Sequence, residues 1–388
     1  MMQKWVSRAA GLAVAVAMAC AAMAPARAQL FETRAKQAYL MDGETGTVLF
    51  SKNADRLVPP ASLAKLMTVD VVFHALKSGR LKMDDTFQVS ENAWRQGGAS
   101  SGGSTMFAKV HSTIPLKDLI QGIIVQSAND ACIVVAEGMA GSEANFARVM
   151  TNRARKIGLK KSTFDNATGL PDPKTRVTMH ELALLARHIH DTYPEYYHIF
   201  GEESFTWNDI RQRNRNPLVH ENIGVDGLKT GHTENAGYGI VASMQRNDRR
   251  LYLAMTGMDS ERERAEESRK LLEWGMRSFE KHSLFAKNDV VGKVSVYGGT
   301  QSSLPVTANK PVSIFLPITD PDRLRAQIDY DWPLKAPVEK GAKVGTLKIF
   351  LGDTLSQQTP VYAAAAMDKG PLYKRAFDAF EELTLSQF

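Results

Sequence analysis

Thiols are almost missing from this chain: among its 388 residues only Cys20 and Cys132 are cysteines. If the first 28 residues are removed on export, Cys132 stands alone, and the fold must rest on packing rather than disulfides. Its small and aliphatic neighbours, Ala131 and Ile133 to Val135, make it a buried thiol. None of the nine histidines forms a His-x-x-x-His pair or a cluster with Cys132, so no metal site is expected. A strong excess of one charge is missing too. Against 42 acidic residues stand 48 Lys and Arg, and loss of Lys4, Arg8 and Arg27 with the leader leaves a net of +3, which argues against nucleic acid as a partner. No internal repeat is present. The Gly/Ser-rich stretch Gly97 to Ser104 lacks the Lys-Ser/Thr pair of a phosphate cradle and reads as a mobile loop.

The apolar run from Ala9 to Ala24 falls short of the roughly 20 residues that span a bilayer. Lys4 and Arg8 precede it and Ala26-Arg27-Ala28 follows, the layout of a cleavable export signal over residues 1–28, with Gln29 as the expected new N-terminus. Ala17, where a lipoprotein signal has a bulky aliphatic residue, argues against lipidation at Cys20.

The remaining 360 residues suffice for two domains. Short apolar runs Ala38 to Met41 and Thr47 to Phe50 flank Asp42-Gly43-Glu44-Thr45-Gly46, a β-hairpin pattern. Ser62 to Leu76 is apolar on nearly every side, as in a buried helix that ends at Ser78-Gly79. Periodicity predicts helices near 116–139, 143–157 and 178–191, and strands at Val225 to Thr230, Gly239 to Met244 and Leu251 to Met255. The implied class is α+β: one antiparallel sheet from the hairpin and the last three strands, covered by helices that include Glu261 to Lys281. This first domain is expected over 29–281. Alternating runs such as Val294 to Val296, Val312 to Leu316 and Val344 to Leu351 predict a small all-β domain over 282–366. Tyr373, Ala376, Phe377, Phe380 and Leu383 recur at helical spacing, so 367–388 reads as an amphipathic helix suited to a membrane surface.

Ser62-Leu63-Ala64-Lys65 puts a hydroxyl and an amine on one face of the first turn of the buried helix. An amide carbonyl resists water, and a serine attacks it only if a base takes its proton. A lysine serves if it is neutral, roughly 4 kcal/mol away from its ordinary state, which burial and neighbouring cations can supply. Ser278-Phe279-Glu280-Lys281 matches the same pattern but reads as a helix surface. Downstream lie Ser127-Ala128-Asn129, before a helix, and Lys229-Thr230-Gly231, on a predicted strand.

Together these three elements resemble the motifs of penicillin-recognising serine enzymes (β-lactamase and transpeptidase-like), and Gln126 to Cys132, Asn214-Arg215-Asn216 and Val225 to Thr233 narrow the likeness to low-molecular-mass penicillin-binding proteins with D,D-carboxypeptidase activity. That resemblance implies a serine D-alanyl-D-alanine carboxypeptidase that trims the terminal D-Ala of peptidoglycan stem peptides, needs no cofactor and is acylated by β-lactams. It implies Ser62 as nucleophile, Lys65 as base and Ser127 as proton relay. Asn129 would hold the substrate amide, Lys229 would supply positive potential, and Gly231 would leave room for the peptide. Thr230, His232, Arg215 and Arg264 would surround the terminal carboxylate, with the backbone N–H groups of Ser62 and His232 as oxyanion donors. The family also implies a periplasmic protein attached through its last helix to the outer face of the inner membrane. Two rivals remain: a class A β-lactamase, whose Glu-x-x-Leu-Asn element this sequence lacks, and a penicillin-sensing or wall-binding module that acylates without turnover.

Overall fold

The computed structural model describes residues 31–319, 324–373 and 375–376. The expected export signal and most of the expected terminal helix lie outside the described residues. From Thr33 onward the chain forms one compact unit.

Five antiparallel strands form the main sheet in the order β2-β1-β5-β4-β3: β1 Gln37–Asp42, β2 Val48–Lys52, β3 Val225–Thr233, β4 Gly237–Arg246 and β5 Arg249–Met258. The hairpin that opens the domain thus pairs with the strand that closes it. All six residues of β1 are buried, as expected for a strand covered on both faces. Side chains alternate across it. Leu40 and, beside it, Leu251 face helix α5 (Glu261–Arg277), where Gly275 lets the helix close onto the sheet: a Cβ there would lie 2.6 Å from Leu40. Tyr39 and Tyr252 face the other way and meet His180 and His190 of α4 (Met179–Thr192).

Between these layers runs α1 (Lys65–Lys77), preceded by a 3-10 turn over Ala61–Ala64. Phe73 packs against Tyr193, Tyr196 and Phe200. The one acid of the helix, Asp70, is fully buried, and Arg153 and His188 meet it at 2.8 and 3.1 Å. Removing one member of such a buried pair strands the other charge.

Two sequence expectations change here. The periodic stretch 116–139 is not one helix: Leu116–Gln121 widens into a π-helical turn over Gly122–Gln126, the chain breaks at Ser127, and α2 (Asn129–Ala140) begins anew. Hydrophobic period carries no mark of that break, because both halves bury the same kind of side chain. The Ser278-Phe279-Glu280-Lys281 pattern is not a helix surface either, since α5 ends at Arg277 and Phe279–Phe285 is a strand.

Between Phe279 and Ala363 the described residues form β-structure: a pair Phe279–Phe285/Val312–Pro317 and a six-stranded sheet around Val294, Val306, Leu347, Ile349 and Val361. Where it meets the first hairpin, Phe315 N–H donates to Thr47 Oγ1 at 3.2 Å, and the Arg249 guanidinium lies 3.8 Å from the Phe315 ring centre.

Candidate active site

A cavity of about 410 Å³ opens where the 3-10 turn, the break at Ser127 and β3 converge. Ser62, Ser127, Asn129, Thr230, Gly231, His232, Arg215 and Arg264 all line it. Lys65 and Lys229 lie behind that lining, almost wholly buried.

Lys65 sets the geometry. Its Nζ is 2.9 Å from Ser62 Oγ, 2.7 Å from Asn129 Oδ1 and 2.6 Å from the Thr168 carbonyl. Two of these partners, the amide oxygen and the carbonyl, can only accept. A neutral amine has two N–H groups for them and one lone pair left over, which then faces the Ser62 hydroxyl as its acceptor. Burial pushes the Lys65 pKa below the ordinary lysine value, against the pull of Asp130 and Glu143. Lys229 is pushed further down, by burial first and then by Lys65, Arg215 and Arg264; its Nζ donates to Thr230 O at 3.0 Å. Two ammonium groups this deeply buried oppose each other, and their mutual effect favours the neutral form of at least one.

Backbone conformation delivers these side chains. Ala61, just before Ser62, sits at φ +50°, and Ser127 sits in the left-handed region at φ +67°, both costly for residues with a Cβ. Ser127 thereby turns the chain so that it and Asn129 line the same cavity. Gly169, at φ +76°, has the Ala61 carbonyl against its open side, and a Cβ would come within 1.9 Å of that oxygen. At Gly231 the open side faces the chain itself: a Cβ would stand 3.1 Å from the backbone nitrogens of Ser62 and Leu63. The resemblance assigns that open side to room for the substrate peptide; the missing side chain also lets β3 lie close to the nucleophile turn.

The Gly/Ser-rich stretch is held to this site at its two ends, while residues 99–103 between them are exposed. Asn129 N–H donates to Ser104 O at 2.7 Å. The buried Asp130 carboxylate accepts from Thr105 Oγ1 and from the N–H groups of Met106 and Ala108. Gly97 lies so close to the 129–130 backbone that a Cβ would overlap it.

At the outer end of the cavity the His232 ring stacks on Tyr238 with centres 3.9 Å apart, and the Arg264 guanidinium lies 5.7 Å from the same tyrosine ring. Arg215 is exposed and its Nε donates to Gln126 Oε1 at 3.3 Å. Neither arginine has a carboxylate within 4.0 Å among the described residues.

Sequence reasoning passed over the segment that closes the site from behind. Asn166 Oδ1 accepts from Thr168 N and Gly169 N, and Glu143, in the first turn of α3 (Glu143–Lys156), accepts from Ala167 N at 3.1 Å. These contacts fix the Thr168 carbonyl on Lys65. Asn166-x-x-Gly169 is a turn signature that the sequence does carry, but a backbone carbonyl is the same on every residue, so nothing marked Thr168. Among the described residues no group of three or more His, Cys, Asp or Glu could hold a metal.

The profile of the D-alanyl-D-alanine carboxypeptidase family matches residues 21–260, and that of the C-terminal domain of penicillin-binding protein 5 matches residues 279–369. D-alanyl-D-alanine carboxypeptidase DacC of Escherichia coli is 38% identical over 342 residues, covering 87% of this chain and 86% of that protein. Among solved structures, penicillin binding protein 5 from Haemophilus influenzae superposes with a TM-score of 0.72 at 33% identity, covering 87% of this chain and 99% of that one. Penicillin binding protein 6B from Escherichia coli gives 0.66 at 35% identity, covering 87% and 97%. The chain belongs to the D-alanyl-D-alanine carboxypeptidase family of penicillin-binding proteins.

Proposed function

We propose that Ser62, Lys65 and Ser127 carry out hydrolysis of the terminal D-Ala-D-Ala amide of peptidoglycan stem peptides through an acyl-enzyme on Ser62. The observation that carries this reading is the arrangement around Lys65 Nζ: two obligate acceptors and one hydroxyl on a buried amine. Lys65 takes the Ser62 proton as Oγ attacks the penultimate carbonyl. The developing oxyanion is held by the backbone N–H groups of Ser62 and His232. Ser127 relays a proton to the departing D-alanine amine, and water, activated by Lys65, then cleaves the ester.

Asn129 has its oxygen on Lys65 and so offers its amide N–H groups to the substrate backbone. Thr230, His232, Arg215 and Arg264 surround the free carboxylate, a chemical match for guanidinium. Lys229 adds positive potential behind β3, and Gly231 keeps that strand close. β-Lactams acylate the same hydroxyl.

Residues 1–28 direct export to the periplasm, and the 367–388 segment attaches the enzyme to the outer face of the inner membrane. Among the described residues no helix is long and apolar enough to cross a membrane. Incubation of the purified protein with diacetyl-Lys-D-Ala-D-Ala, beside Ser62→Ala, tests the reading. Release of D-alanine by the wild type alone is expected; no release, or equal release by the variant, overturns it.

A further inference from the structure

Lys65 shares its face of α1 with Thr68, three residues on. A threonine inside a helix ordinarily turns its hydroxyl back onto a carbonyl of the preceding turn. Thr68 does not. Its Oγ1 donates to Ala167 O at 2.7 Å, a residue 99 positions away, while Lys65 Nζ donates to the next carbonyl, Thr168 O, at 2.6 Å. All four residues are buried, and Met150 of α3 closes in Thr68 with its Sδ 3.7 Å from the hydroxyl. Thr68 is not part of the cavity wall.

A straight segment would point two neighbouring carbonyls to opposite sides; here the turn from Asn166 to Gly169 aims both at α1. Side by side, two such dipoles oppose each other, and away from water each keeps its direction only while it has a donor. Thr68 is the donor for Ala167 O, and Glu143 accepts from the N–H of the same residue at 3.1 Å. Ala167 C=O and Thr168 N–H lie in one peptide plane. Any rotation of that plane toward a new donor pulls Thr168 N–H from Asn166 Oδ1 and takes the Thr168 carbonyl off Lys65.

We propose that Thr68 is a positioning residue for the reaction: by holding the Ala167 carbonyl it keeps the Thr168 carbonyl on one N–H of Lys65, so that the amine lone pair faces Ser62. The inference rests on Lys65 as the base. It adds that the helix carrying the amine also sets, one turn along, the acceptor that aims it.

The test compares the full chain with Thr68→Val, which keeps the side-chain shape and loses the hydroxyl, and with Thr68→Ser, which keeps the hydroxyl and loses a methyl group. Tm, kcat and KM for D-alanine release from diacetyl-Lys-D-Ala-D-Ala, and the acid limb of kcat/KM are measured for each. Both variants should lower Tm. In Thr68→Val, kcat on the plateau should fall about tenfold through misaimed proton transfer, with KM unchanged because Thr68 is outside the cavity wall. The acid limb should also move to lower pH, since a carbonyl acceptor favours the ammonium over the amine. The titratable groups that act on Lys65, namely Asp130 and Cys132 of α2, Glu143 of α3 and Lys229 of β3, are the same in all these proteins, so the shift reports the lost acceptor. Thr68→Ser should match the wild type in kcat and in the limb despite its lower Tm. Thr68→Ala, which also lacks the hydroxyl, takes the place of Thr68→Val if that variant does not fold. Wild-type kcat and limb without the hydroxyl, a rise in KM in place of the fall in kcat, or an equal loss in Thr68→Ser overturns the inference. A wild-type profile with no acid limb instead strikes the reading of Lys65.

Discussion

Lys65 Nζ lies 2.6 Å from the backbone oxygen of Thr168, a residue 103 positions away, and it is this contact that orients the amine toward Ser62. Because burial lowers the Lys65 pKa, the amine becomes a base at a lower pH than an exposed lysine would. The sign is fixed: protonated Lys65 has no lone pair, so kcat/KM for D-alanine release should fall as pH drops through the lowered pKa and level off above it. Lys65→Arg, always charged, should lose activity by roughly 10²–10⁴-fold. A pH profile of the wild type without an acid limb, or an active arginine variant, would contradict the assignment.

Glu143 bears on that same limb. Its carboxylate raises the Lys65 pKa through space and also holds Ala167 N, while burial raises its own pKa. Glu143→Gln keeps an acceptor for Ala167 but removes the charge, so the acid limb should move to lower pH with little change in Tm. Glu143→Ala loses the acceptor as well, and about 1 kcal/mol of stability with it. Thermal unfolding and pH profiles of the two variants separate the effects; identical profiles for wild type and Glu143→Gln would remove Glu143 from the account.

Much of the architecture was legible in the sequence because hydrophobic period is a local property. The hairpin at 38–50, the three strands at 225–258 and the helix at 143–157 are found within a few residues of where periodicity puts them. The α+β class follows from the order of those elements, and the family from the three motifs and the residues around them. What was not legible depends on backbone direction: the break at Ser127, the positive φ at Ala61, and the Thr168 carbonyl on Lys65. The resemblance put Arg215 and Arg264 around the terminal carboxylate, and the fold brings both to the wall of the cavity that Ser62 lines.

Glycine 169 offers a test of how tightly the rear segment is set. Both its φ of +76° and the Ala61 carbonyl beside it oppose any side chain. Gly169→Ala should cost at least about 2 kcal/mol, and because Ala61 precedes Ser62 the damage should reach the nucleophile turn. Lower Tm together with slower labelling by a fluorescent penicillin is expected; an unchanged labelling rate would mean that the two segments move independently.

Deletion of residues 370–388 addresses attachment without touching the site. The truncated protein should pass from the membrane to the soluble fraction with kcat/KM for D-alanine release unaltered. Retention at the membrane would refute anchoring through this segment. A loss of activity would instead give the tail a place in the fold.

The fate of benzylpenicillin decides between this enzyme and a β-lactamase. Rapid release of a penicilloyl ester needs a carboxylate placed to activate water beside the acyl group. Glu261 is the carboxylate that lines the cavity, and it belongs to the end shared with Arg215 and Arg264. Glu143, nearer in effect to Lys65, accepts from Ala167 N. The ester on Ser62 should therefore persist far longer than the D-alanyl acyl-enzyme, so that one equivalent of benzylpenicillin blocks D-alanine release. Fast, Ser62-dependent turnover of the drug would require another water-activating group and would overturn the assignment of Lys65 as the base for both steps.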